Sequence, residues 1–352
     1  NNLCEYLNVK YCVSVGNGTD ALMIALAALD LERKEVIVPS FSFFATSEAV
    51  VQVGLDPIFV DIDLKDCNID VNKIEEKITD NTGAILPVHL FGNSAEMKKI
   101  KDLAKKYNLK IVEDAAHALG AKYECGSMVG SGKYSDLCVF SFHPVKIIAG
   151  GEGGIITTNS EVLYNTLLRL RTHGVNQNSN EILNKKIGYT KKEKNLWYYE
   201  MTDLGYHYRQ TDIHCALIYS QMDRIENFLT KRKKIASKYD FEFSKNKNYF
   251  LPQRKLRNYS SNHLYTLNFN FNESKINRNY LMSELQKRNI VSQVHYIPVP
   301  LQYYYKKMGY SMKGLENTKK HYSQCISLPI YYELDNHKQN FVISSVNEIL
   351  DI

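Results

Sequence analysis

The chain has 352 residues, 44% hydrophobic and 23% charged, enough to bury a large core with a smaller one attached and unlike a disordered or fibrous chain. No apolar run approaches the roughly 18 residues that cross a bilayer, so no membrane span is expected. A formal charge of +6 is modest for this length, and the Lys and Arg residues are spread out except at Lys185–Lys194, so no nucleic-acid footprint is indicated.

Taken in chain order, Asn1–Leu7 reads as the back half of an amphipathic helix without a leader's basic and apolar regions, so the sequence is expected to begin inside a domain. The seven cysteines have neither CxxC nor Cys/His zinc spacing, which points to a reducing cytosol, no metal and mostly inert core thiols. From residue 36 to 158, short Val/Ile-rich runs alternate with helical patterns. Strands are predicted at Val36–Pro39, Ile58–Ile62, Ala84–His89, Lys110–Asp114, Cys138–Phe142 and Gly154–Thr157, and helices at Thr19–Ala28, Phe44–Val53 and Ala95–Tyr107. Strands apolar on both faces need helices on both sides, so the fold class is α/β with a mostly parallel central sheet.

The basic stretch Lys185–Lys194 reads as a solvated loop, or as an anion contact if the ligand carries phosphates. After Asp212 one long helix is expected, about Ile213 to Ser244. A strand at Leu264–Phe271, a helix at Lys275–Arg288 and a strand at Val291–His295 follow. The chain therefore divides into a large α/β domain, residues 1–240, and a small α+β domain, residues 241–352.

Three segments carry chemistry. Val15–Leu22 is a Gly-rich turn opening a helix, where free amides and the helix dipole suit an anion and Thr19 adds a hydroxyl; a plain turn with a cap reads as well. Ile111–Ala118 puts Glu113 and Asp114 at the carboxyl end of a buried strand, where α/β sheets bind ligands; a helix-capping or loop acid is the alternative. In Phe140–Gly154, Lys146 follows an apolar strand and precedes a glycine-dense turn. A lysine there adds nothing to a core, and desolvation would expose the neutral amine that forms an imine.

These segments, with Leu204–Leu217, resemble the DegT/StrS family of nucleotide-sugar aminotransferases, fold-type-I enzymes that use pyridoxal 5'-phosphate (PLP). The resemblance runs from the first residue to about Pro329. It implies that Lys146 is the Schiff-base lysine and later the proton-moving base, and that Asp114 pairs with the cofactor's ring nitrogen. His117 falls beside its phenolic oxygen, and Gly18, Thr19 and Ser141 cradle its phosphate. Phe43 aligns with the aromatic that stacks on its ring, or is a simple core phenylalanine. The relatives' Asn that reaches the partner subunit's cofactor phosphate is His207 here, which puts that cross-subunit contact in doubt. Arg209 and Asp212 are expected to form an ion pair.

Phe142–Lys146 with Gly151–Gly154, and Gln293–Pro300, resemble the transaminases of the pseudaminic-acid pathway, which aminate C4 of a UDP-linked 4-keto-6-deoxy-N-acetylhexosamine. The resemblance implies glutamate as donor, 2-oxoglutarate as product, a cytoplasmic homodimer with sites at its interface, and a role in surface-polysaccharide or flagellin-glycan precursors. His295, Tyr296 and His263 would lie near the sugar or nucleotide, or be small-domain residues bonded to backbone. Two alternatives are a C3-keto-sugar aminotransferase of the same family and a non-catalytic regulator or sugar-binding protein on this fold. A sister branch that removes a C3 hydroxyl has histidine in place of the lysine, and Lys146 argues against it.

Overall fold

Runs of β-branched residues pair into a sheet whose two faces are both apolar. In the computed structural model, which describes residues 2–176 and 182–351, seven strands form it: β1 (Tyr11–Val15), β2 (Glu35–Pro39), β3 (Asp56–Val60), β4 (Thr82–Ile85), β5 (Lys110–Asp114), β6 (Leu137–Ser141) and β7 (Gly154–Thr158). Their order is β1-β7-β6-β5-β4-β2-β3. Strands β2 to β6 pair in parallel, whereas β7 runs antiparallel to both β6 and β1. The expected α/β class with a mostly parallel sheet is therefore what forms. β1 escapes the sequence reading because Tyr11–Val15 is short and only half buried.

Alternate side chains build two cores. Ile37, Ile85, Ile111 and Phe140 face one, and Val36, Val38, Val112 and Val139 face the other. Helices α1 (Asn2–Leu7), α2 (Gly18–Ala27), α3 (Ala45–Gln52), α4 (Met97–Tyr107) and α5 (Glu161–Leu170) cover them. On α4 the buried residues Met97, Ile100 and Ala104 recur at helical spacing, so one stripe packs and the lysines face water. Asn1, the first residue of the expected N-terminal helix, lies outside the described residues.

The single helix expected from Ile213 to Ser244 is two, Asp212–Met222 and Ile225–Phe243. The break lets one apolar stripe serve two cores. Ile225 packs into the first, while Ile235, Ala236, Tyr239 and Phe243 join a third with Tyr265, Leu267, Leu281, Ile326 and Val346. We propose that the division between the two units falls within Ile225–Phe243. The third core is floored by a three-stranded antiparallel sheet of Tyr249–Phe250, Tyr265–Phe269 and Cys325–Leu328.

The strand expected at Val291–His295 does not form. Gln293 makes one isolated bridge to Ser327, after which the chain leaves the sheet to carry Tyr296 to His117. Lys185–Lys194 is no plain loop either. It folds as a short helix, Lys185–Gly188, and a hairpin pairing Tyr189–Thr190 with Glu193–Lys194. The cysteines are all free, but only Cys67, Cys138 and Cys325 are buried. Exposed Cys125 receives hydrogen bonds from Lys133 and Tyr134 and is pushed down to about 6, chiefly by the Tyr134 hydroxyl, so it is no inert core thiol.

Asp61 ties the large core to the segment that returns from the small one. Its buried carboxylate accepts from the Thr318 amide and hydroxyl at 2.8 Å, the Asn317 amide at 3.0 Å and Lys73 Nζ at 2.8 Å. Burial pushes its pKa up, but the bonds from Lys73, Asn317 and Thr318 outweigh that and hold it below the ordinary 3.8. A depressed folded-state value stabilises the fold above the unfolded pKa, and that contribution disappears as pH falls through the folded value. Asp61→Asn is expected to cost about 3 kcal/mol, roughly 5 °C in melting temperature, at pH 6. The gap to the parent protein should close as the buffer is taken below the ordinary 3.8; differential scanning calorimetry across pH checks both.

Candidate active site

Strand register brings the chemistry to one edge of the sheet. Gly154 opens β7 directly opposite Val15, the last residue of β1, and Ser141, the last of β6. Asp114, the last of β5, pairs with Val139 of β6. The cavity at this edge holds about 690 Å³ and is lined by Gly18, Thr19, Phe43, Asp114, His117, Ser141, Lys146, His295 and Tyr296 among others. That volume suits a small-molecule site.

Lys146 sits in a loop closed on itself, with Gly150 N donating to Phe142 O and Phe142 N to Gly153 O, each at 2.8 Å. Burial pushes the ammonium down to about 8, and the Asp114 carboxylate opposes that shift. Asp114 is fixed by the Thr46 hydroxyl on Oδ2 at 2.7 Å and the Ala116 amide on Oδ1 at 3.0 Å. Strand alternation turns its neighbour Glu113 to the other face. There Glu113 accepts from Tyr123 and Ser135 and meets His89 Nε2 at 2.6 Å, which makes it structural.

The Gly-rich turn closes on Ser141. A Cβ on Gly18 would lie 2.9 Å from the Ser141 Cβ, so only glycine lets the backbone of the α2 N-terminus come this close. Asn17, which accepts from the Asp20 amide at 2.9 Å, caps α2, so the helix dipole and the Ser141 hydroxyl face the same space. His117 Nε2 lies 3.1 Å from the Tyr296 hydroxyl, while its buried Nδ1 has no partner among the described residues. An anion cradle, a carboxylate held by two donors, an aromatic wall and a lysine with a lowered pKa form a donor set that fits PLP.

A family model described as the DegT/DnrJ/EryC1/StrS aminotransferase family matches residues 1–347. The chain belongs to this family. The UDP-4-amino-4,6-dideoxy-N-acetyl-beta-L-altrosamine transaminase of Campylobacter jejuni is 36% identical over 99% of the chain and 88% of that protein. An uncharacterised Methanocaldococcus jannaschii protein is equally similar, at 36% over 98% and 87%. Among solved structures, Helicobacter pylori PseC, an aminotransferase of pseudoaminic acid biosynthesis, superimposes with a TM-score of 0.88 at 29% identity, covering 99% of this chain and 89% of that one. The sugar aminotransferase fold, and the activity class with it, is therefore established for this DegT/DnrJ/EryC1/StrS member.

Not every residue expected at the aminotransferase site reaches its cavity. His263 is buried behind His117, ring centroids 4.5 Å apart, and does not line the cavity wall. His207 is exposed outside the cavity, stacked on His173 at 4.9 Å with its Nε2 3.0 Å from an Arg209 nitrogen. Arg209 therefore engages His207, and no ion pair to Asp212 exists among the described residues. Phe43 is 45% exposed on the cavity wall, 5.6 Å from the Tyr296 ring, which is not the position of a core phenylalanine. His295 lines the cavity with Nδ1 3.0 Å from Ser327 Oγ, pushed down to about 4 by burial and then by Lys146. Thr46, Asn17 and Tyr208 also shape the site. Only Asn17 had a sequence signal, as an N-cap immediately before Gly18-Thr19.

Proposed function

We propose that this aminotransferase uses PLP to move an amino group from glutamate to C4 of a nucleotide-linked 4-keto-6-deoxy sugar, a UDP-N-acetylhexosamine derivative, for a surface-polysaccharide or flagellin-glycan precursor. The convergence of Lys146, Asp114, His117 and the Gly18–Ser141 cradle on one cavity carries the reading. Relatives named for 4-amino-4,6-dideoxy sugars on UDP, at 36 and 37% identity, and on dTDP, at 32%, support C4.

Bound PLP supplies an electron sink for the bond-breaking at the amine-bearing carbon. Lys146 would hold it covalently, and its amine, partly neutral because burial lowers its pKa to about 8, would move the proton at the amine-bearing carbon. Asp114 would place its carboxylate against the ring nitrogen. Gly18, Thr19 and Ser141 would hold the phosphate, Phe43 would cover the ring, and His117 would face the phenolic oxygen. Partial burial of Lys146 desolvates its amine, which is what lowers its pKa.

A homodimer with the site at its interface is part of the proposal. Leu196, Trp197, Met201, Leu204 and Ile213 are each more than 60% exposed, an apolar load that a monomer rarely leaves in water. His207 and Arg209 lie among them in the chain and would meet the partner's cofactor phosphate.

Incubating the protein with PLP, glutamate and a panel of UDP-, dTDP- and GDP-linked 4-keto-6-deoxy sugars tests the proposal, with NMR of the products. A 4-amino sugar and 2-oxoglutarate in equal amounts are expected, best with the UDP sugar. No amino sugar from any member of the panel, or amination of the corresponding 3-keto sugars in their place, overturns it.

A further inference from the structure

His117 is backed by an arrangement that the amino-transfer reading leaves unused. His263 and His117 are both almost fully buried, their rings 4.5 Å apart and tilted by 37°. The Nδ1 of each ring is buried and has no partner among the described residues. Both rings are held from their backbones. His117 O accepts from the Ser261 hydroxyl at 2.7 Å, and His263 N donates to Phe91 O at 2.9 Å. Behind them the buried Arg232 donates from one nitrogen to the carbonyls of His263 at 3.0 Å and Ile330 at 3.2 Å, and forms no ion pair among the described residues.

This packing decides where the His117 proton sits. A proton on Nδ1 would be a buried N–H without an acceptor, a costly state. A proton on Nε2 has the Tyr296 oxygen 3.1 Å away. The doubly protonated ring needs both, and burial, then Lys146 and His295, hold His117 well below the ordinary imidazole value. Burial, then His117, Lys146, Arg232 and His295, do the same for His263. Asp114, three residues before His117, is the carboxylate at this wall, and its two oxygens are engaged by Thr46 and Ala116.

We propose that His263 is a positioning residue that acts through His117. By packing its ring 4.5 Å from that of His117 with no hydrogen bond to the buried Nδ1, it holds His117 as the neutral Nε2–H form, which donates to Tyr296 and leaves the Tyr296 hydroxyl proton to donate into the cavity. The consequence for amino transfer rests on the proposed function, whereas the His117 proton position does not.

Cofactor-free protein labelled with ¹⁵N-histidine, with His117→Gln to assign the signals, reads that position by NMR. The expected His117 spectrum is the Nε2–H form, unchanged from pH 5 to 8. His263→Gln puts an amide oxygen against the His117 ring, where it can accept from Nδ1, and should shift His117 to the Nδ1–H form, while His263→Phe keeps the packed ring and the parent spectrum. In the loaded enzyme His263→Gln should lower kcat by roughly tenfold, the worth of one hydrogen bond, with KM unchanged. Adding Tyr296→Phe to it should cost little more. An Nδ1–H ring in the parent protein, titration of His117 within that range, or a His263→Gln spectrum like the parent's overturns the proposal, even where amino transfer is intact. Loss of amino transfer in every protein with the expected spectra would overturn the function and not the position.

Discussion

Lys146→Ala is expected to lower amino transfer by about 10⁴-fold, the upper end of what a positioned acid–base group contributes, because in the proposed function covalent attachment and proton transfer are lost together. Borohydride treatment of PLP-loaded protein should fix the cofactor to the peptide carrying Lys146 in the parent and to no peptide in the variant. Lys146→Arg should be as inactive, since a guanidinium keeps the charge but never becomes a neutral amine. The pH dependence is the sharper check. With a pKa of about 8 in place of the ordinary 10.5, about a tenth of the amine is neutral at pH 7. Burial is the cause, so the rate of PLP attachment to the apo-protein should rise with pH and level off above about 8. A rate still climbing toward the ordinary lysine value would mean that Lys146 is solvated and is not the attachment point.

Lys146 and Asp114 were legible in the sequence because each places a charge where an apolar strand ends, an arrangement no core needs. The parallel part of the sheet was legible for the related reason that strands buried on both faces read as continuous apolar runs. What the sequence hid are contacts between distant segments. The Tyr296–His117 hydrogen bond spans 179 residues, and no local pattern encodes it. Glu113 and Asp114 look equivalent as neighbours, and only strand alternation separates a structural acid from one on the cavity wall. The helix break between Met222 and Ile225 leaves helical periodicity intact and is set by the two cores that the second helix must serve. His263 carried the same motif-level signal as His295, yet burial separates them, and a sequence has no measure of depth.

Asp114→Asn is expected to lower kcat by roughly 10²–10³-fold, the loss seen when one preorganised electrostatic partner is removed from a site. The side chain keeps its shape, so the effect isolates charge. The carboxylate accepts from Thr46 on one oxygen and Ala116 on the other, and an amide can accept only on its single oxygen. One of the two donors is left facing an NH₂ group, and in the proposed function the ring nitrogen of PLP would lose the anion that keeps it protonated. Affinity for PLP should fall along with kcat. Asp114→Glu separates the two contributions, because it retains the charge while moving it about one methylene further out. Expected for it is tighter PLP binding than in Asp114→Asn, with kcat still below the parent. Thr46→Val removes one donor and no charge, and roughly a tenfold fall in kcat is expected from it. If Thr46→Val were as damaging as Asp114→Asn in steady-state kinetics, the geometry of the carboxylate rather than its charge would be what the site depends on.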